Sequence, residues 1–188
     1  AEDGSIEELI VIGVENTAQR IYEYTPTTDP TTAGGGGGDA YLALLVDELK
    51  PQIDQMLRTL PDRAHTGILG SSLGGLIRAS AGVARPDVFG VVGALSPSTW
   101  WNDEVIIGDV AAMPAAARPA RVYVDSGDAG ASNDDVANTD QLAAAYLNLG
   151  YTSGVDFLHV VQAGGQHNEV YWAQRLPGAL QFLFGPRP

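Results

Sequence analysis

Cysteine is absent from the sequence, which excludes disulfides, thiolate zinc sites and a cysteine nucleophile. Lysine is nearly absent: Lys50 stands alone beside the arginines. Cationic residues are scarce altogether, 10 Lys and Arg against 23 Asp and Glu, for a formal net charge of −13. So few cations cannot neutralise a phosphate backbone or dock on an anionic lipid surface, which argues against nucleic acid and membrane as partners. No apolar run is long enough to span a bilayer, and the acidic start Ala1-Glu2-Asp3-Gly4 does not read as a signal peptide. The expectation is a soluble chain whose compartment the sequence leaves open.

What is present is material for a core. Hydrophobic residues make up 45% of 188 residues, enough for one folded domain and too many for an acidic disordered tail. Short apolar runs alternate with longer amphipathic ones. Residues 9–14 (LIVIGV), 65–70, 89–95, 121–125 and 155–162 read as strands, and 73–83, 141–149 and 170–184 as helices. Residues 39–60 carry apolar side chains at helical spacing, with Pro51 expected to kink or split the helix. Gly150 reads as a C-cap and Asn168 as an N-cap. Near-continuous apolar strands separated by helices predict an α/β fold with a mostly parallel sheet. The run Gly34–Gly38 reads as a flexible surface loop, because it lacks the Lys-Ser/Thr of a phosphate-binding loop.

One short motif carries chemistry. Gly70-Ser71-Ser72-Leu73-Gly74 is a G-x-S-x-G lying between a predicted strand and a predicted helix. A turn that tight needs small neighbours, and it lifts the serine clear of the sheet at the positive end of the next helix. Ser72 is then a candidate nucleophile, and the backbone N–H of Leu73 a candidate oxyanion donor. The alternative is a glycine-rich strand-to-helix turn with no catalytic role. A serine nucleophile needs a base. His167 follows Gly164-Gly165-Gln166 beyond the end of a strand, where ligands collect in open α/β sheets, and is the candidate. His159 falls inside a strand and His65 at the wrong end of the sheet, so both read as structural. For the orienting acid the order Ser-acid-His leaves Asp128 and Asp134, with Asp125 and Asp135 behind them. Asp128 lies nearest the strand end; Ser132-Asn133-Asp134-Asp135 also reads as a helix-start cap. Trp100 and Trp101 are expected on a loop above the sheet, as an aromatic wall of a substrate pocket or as one core and one covering residue.

GSSLGG (70–75), ALSPSTWWND (94–103), VDSGD (124–128) and GGQHNEVYWAQRLPGAL (164–180), with VIGVENTAQRIYEYTP (11–26), together resemble the esterase family of the α/β-hydrolase fold that includes enterochelin-type siderophore esterases, feruloyl and acetylxylan esterases and S-formylglutathione hydrolase. The resemblance implies Ser72 as nucleophile, His167 as base and hydrolysis of a small-molecule carboxylic ester through an acyl-enzyme, without metal or organic cofactor. It also implies a departure at the front. In the family three strands precede residues 11–14, the loop after the third supplies the second oxyanion donor, and that third strand lies between the strands at 9–14 and 65–70. Nothing in residues 1–9 matches this. The expectation is therefore a single domain over 1–188, N-terminally incomplete, whose sheet is completed by an associated N-terminal fragment, by a second copy, or by direct closure of the two strands. An acyltransferase on the same fold and a catalytically silent α/β module are the rival readings.

Overall fold

The computed structural model describes residues 4–32 and 34–186. Its centre is a four-stranded parallel sheet, β3 (Gly67–Ser71), β4 (Val91–Leu95), β5 (Arg121–Gly127) and β6 (Phe157–Gln162), in the spatial order β3-β4-β5-β6. Strand order follows chain order, so each connection is a crossover to the next neighbour. The connecting helices are α4 (Leu73–Ala84), α5 (Trp101–Ala112) and α6 (Val136–Asn148). With one crossover hand they stack on one face, where Leu76, Ile77, Ile106, Val110 and Leu142 pack with Val92, Val122 and Val124. The last helix, α7 (Glu169–Phe184), covers the other face through Ala179 and Leu183, against Val91, Leu95 and Tyr123. The two middle strands are buried at every position, as expected of parallel strands covered on both sides.

Ahead of the sheet lie a one-turn helix α1 (Arg20–Glu23), a two-residue hairpin β1 (Thr28–Asp29) with β2 (Gly34–Gly35), α2 (Gly38–Ala43), a π-helical stretch Leu44–Leu49, and α3 (Lys50–Met56). Pro51 does not split the predicted helix: the dihedrals stay helical at Leu44, Leu49 and Lys50, and the π-helical stretch just before the proline accommodates its ring and missing N–H. The glycine run departs from the flexible loop expected of it. A Cβ on Gly35 would stand 2.5 Å from the Trp101 ring, so the run is a close-packed seam, not a free loop.

Two further expectations are corrected. Trp100 and Trp101 do not sit on a plain loop: α5 begins at Trp101, although Asn102, Asp103 and Glu104 have left-handed dihedrals and regular helix starts only after them. Residues 9–14 form no strand. They join no ladder of the sheet, leaving Ile10, Val11 and Ile12 50%, 81% and 43% exposed. A cleft of about 780 Å³ separates them from β3, roofed by Leu176, Leu180 and Phe184 and floored by Leu45, Leu49 and Ile53. Arg78 of α4 faces the same cleft. It is 8% exposed and donates to Tyr41 Oη at 2.9 Å, while its Nε and Nη1 have no acceptor among the described residues.

An open β3 edge offers unpaired backbone groups to another chain, and the apolar faces beside it favour being covered. The 188-residue chain is expected to associate in size-exclusion chromatography and to brighten an apolar-surface dye. A dye-silent, monodisperse monomer would count against this reading of the edge.

Candidate functional site

The turn from β3 into α4 puts Ser72 at φ 59° and ψ −131°, a region that L-residues rarely occupy. The turn is possible only because its neighbours lack side chains. A Cβ on Gly70 would meet the Gly74 carbonyl oxygen at 2.8 Å, and one on Gly75 would stand 3.0 Å from Pro97 Cα and 3.1 Å from the Leu95 oxygen. The serine backbone is tied to the end of β4: Ser72 N–H donates to Leu95 O (3.0 Å) and Ser98 N–H to Ser72 O (3.1 Å). Leu73 opens α4, so its N–H belongs to the first turn, which has no intrahelical acceptor.

His167 lies in the loop between β6 and α7, ahead of Asn168, whose side chain accepts from Val170 N–H and caps α7. The His167 Nε2 stands 2.9 Å from Ser72 Oγ, and its Nδ1 stands 2.6 Å from Asp134 Oδ1. The edge of Trp172 packs against the imidazole, with ring centroids 5.1 Å apart. His159 and His65 take no part: His159 sits on β6 near Asp140, and His65 pairs with Asp62 near the opposite end of β3.

Of the candidate acids, the structure brings Asp134 to the histidine and not Asp128. Asp128 is exposed, and its Oδ1 accepts from Gly164 N–H at 2.7 Å, tying the loop that leads to His167. The physical reason lies in the stretch 132–135. Instead of a capping turn, Ser132, Asn133, Asp134 and Asp135 all adopt left-handed dihedrals, with φ between 48° and 57°. Each such residue costs roughly 1–2 kcal/mol, though Asn and Asp tolerate the region best. The turn carries Asp134 inward until only 1% is exposed. There its Oδ2 accepts from Ser96 Oγ at 2.7 Å and from Gly127 N–H. Burial opposes ionisation of Asp134, but the hydrogen bonds from His167, Ser96 and Gly127 outweigh it and hold the carboxyl below its ordinary value. Asp135 is half-buried and accepts from Trp100 N–H at 3.2 Å, and burial pushes its carboxyl up.

Trp100 is 45% exposed on this anchored turn. Trp101 is 2% exposed and belongs to the core, which corrects its placement as a pocket wall: its Nε1 donates to Thr27 O at 2.9 Å and holds the β1–β2 hairpin. Among the described residues, no cluster of three or more His, Asp or Glu could hold a metal ion.

Sequence reasoning missed the layer beneath the acid. Arg175 of α7, Asp125 of β5 and Ser96 beyond β4 are all buried around Asp134. A signal was present. Arg175, Ala179 and Leu183 form the buried i, i+4, i+8 stripe of α7, so a cation occupies a position patterned as apolar.

A family model described as "Putative esterase" matches residues 1–183. The Bacillus subtilis protein YbbA, itself uncharacterized, is 28% identical over 189 residues, which is 95% of this chain and 74% of YbbA. A siderophore triacetylfusarinine C esterase of Aspergillus fumigatus is 31% identical over 95 residues, covering 50% of this chain; the match spans only 32% of that enzyme. Among solved structures, the BES protein of Bacillus cereus shares the fold with a TM-score of 0.78 at 20% identity, over 98% of this chain and 73% of that one.

A carboxyl held below its ordinary 3.8 takes up its proton first in the unfolded chain. Asp134 therefore contributes stability above that value and loses it as the pH falls through the folded-state pKa. Asp134→Asn should cost about 2 kcal/mol at neutral pH, the worth of hydrogen bonds to a charged group. In urea titrations the gap to the unmodified chain should narrow on acidification, and Asp128→Asn should stay close to the unmodified midpoint throughout.

Proposed function

Because the chain belongs to this esterase family, we propose that it hydrolyses a small-molecule carboxylic ester with Ser72 as nucleophile, His167 as base and Asp134 as orienting acid. The observation that carries the proposal is the unbroken line of contacts Ser72 Oγ–His167 Nε2–His167 Nδ1–Asp134 Oδ1 at 2.9 and 2.6 Å, on a serine held in a strained elbow.

The chemistry follows from the donors and acceptors. An ionised Asp134 can only accept, so the hydrogen of a neutral His167 sits on Nδ1 and the Nε2 lone pair faces the serine. Nε2 takes the Ser72 proton as Oγ attacks the ester carbonyl, and the growing imidazolium is stabilised by the carboxylate behind it. The tetrahedral oxyanion forms near the first turn of α4, where the Leu73 N–H and the positive helix end favour negative charge. His167 then returns the proton to the leaving alcohol. Water repeats the sequence on the acyl-enzyme and frees the acid. Trp172, packed against the imidazole, gives the neighbourhood of His167 an aromatic character suited to an apolar ester.

Intact-mass spectrometry after treatment with a fluorophosphonate should show one adduct, mapped to Ser72 and absent from Ser72→Ala. Asp134→Asn should lower kcat by roughly three to four orders of magnitude, the loss expected when the histidine tautomer is no longer fixed. Asp128→Asn should stay within a few-fold of the unmodified enzyme, since the amide oxygen can still accept from Gly164 N–H. No adduct on the folded chain would favour a silent module. Transfer to an added alcohol in preference to water would favour an acyltransferase.

A further inference from the structure

We propose that Arg175 is a positioning residue for Asp134, acting through the Ser96 hydroxyl and held in place by Asp125. The inference rests on the ester-hydrolase reading above and concerns the layer beneath its acid.

The Arg175 side chain is 4% exposed. One edge of its guanidinium serves the fold: Nε stands 2.9 Å from Asp125 Oδ2, and Nη1 donates to Gln162 Oε1 at 2.9 Å. The remaining nitrogen does something a plain ion pair would not require. Nη2 donates to Ser96 Oγ at 2.7 Å, and it stands 3.7 Å from Asp134 Oδ2. A guanidinium has only hydrogens to give. Ser96 Oγ, once it accepts from Arg175, must send its own hydrogen elsewhere, and Asp134 Oδ2 lies 2.7 Å away. Gly127 N–H aims at the same oxygen. All donors beneath the acid thus converge on Oδ2, leaving Oδ1 for His167 Nδ1. The direction of the chain fixes both the ionised acid and the imidazole tautomer.

Asp125 completes the arrangement. It is 0% exposed, its Oδ1 accepts from Ser96 N–H at 2.9 Å, and its Oδ2 accepts from Tyr123 Oη at 2.9 Å. It therefore grips both the arginine and the backbone of the relay serine. Ser96 itself has φ 38°, a left-handed conformation uncommon for serine, in a fully buried position. A residue needed only for packing has no reason to be held there. The charged groups facing His167 and Asp134 are then Arg175 and Asp125 from beneath and Asp135 from the adjoining turn.

The test compares Arg175→Gln and Ser96→Ala with the unmodified chain. Active sites are counted by fluorophosphonate labelling, and kcat, KM and the pH profile of kcat/KM are measured per labelled site. A positioning role predicts a roughly ten- to hundredfold fall in kcat with KM little changed. It also predicts that the acidic limb of the profile moves to higher pH. Removing the arginine charge, or the hydrogen bond that draws on Oδ2, leaves more of the carboxylate's field on the imidazole and favours its protonated form. Ser96→Ala leaves the Arg175–Asp125 pair intact, so it decides the question if Arg175→Gln does not fold. Variants that melt earlier but keep the unmodified rate and profile per labelled site would overturn the inference and make Arg175 a purely structural anchor. An unmodified chain that neither labels nor hydrolyses any ester would instead remove the ester-hydrolase reading, and this inference with it.

Discussion

Everything at the site depends on how closely the backbone of α4 approaches the strands beneath it. The elbow at Ser72 draws Gly70 and Gly75 into contact with the Gly74 carbonyl and with the chain beyond β4, leaving no room for a methyl group at either. That contact aligns three things at once: the serine above the sheet, the free N–H groups of the first turn of α4, and the end of β4 from which Ser96 reaches the acid. Loosening the turn would displace Ser72, the Leu73 N–H and Ser96 together. The strain in Ser72 is thus held by tight backbone packing, and not by any single strong bond.

Two of the three buried arginines, Arg175 and Arg78, mark opposite ends of the molecule. Arg175 is matched by Asp125, Ser96 and Gln162, and it binds the ends of β4, β5 and β6 to α7. Arg78 rests among the Tyr24 and Tyr41 rings, 4.9 and 5.2 Å from their centroids, with two of its nitrogens unpartnered among the described residues. The same residue type therefore marks the finished end of the sheet and the open one. The carboxyl ends of the strands, where the chemistry collects, lie on the finished side of that contrast, and the β3 edge beside residues 9–14 carries the open one.

The sequence made the sheet legible because β4, β5 and β6 are near-continuous apolar runs, and it made the elbow legible because only glycines permit that turn. It misled at residues 9–14. LIVIGV has strand composition, but a strand needs a partner, and hydrogen bonding between segments is invisible in a local pattern. It left the acid open for a related reason. Asp128 and Asp134 differ little by chain order; what separates them is a run of four left-handed residues that no propensity argument predicts. The start of α5 was hidden in the same way by the left-handed turn at Asn102–Glu104. Arg175 was legible as a charge on an apolar stripe but not as a neighbour of Asp134, because that contact joins residues far apart in the chain.

The agreement between strand order and chain order also bears on how the molecule is made. Each β-α unit can dock beside the one before it as synthesis proceeds, so the sheet grows outward from β3 with few long-range rearrangements. The site does not grow with it. Ser72 is in place after the first unit and Asp134 after the third, but His167 and Arg175 arrive only with the segment that follows β6. On the ribosome Ser72 is therefore made well before His167, and the sheet around it can fold before the line of contacts from Ser72 through His167 to Asp134 is complete.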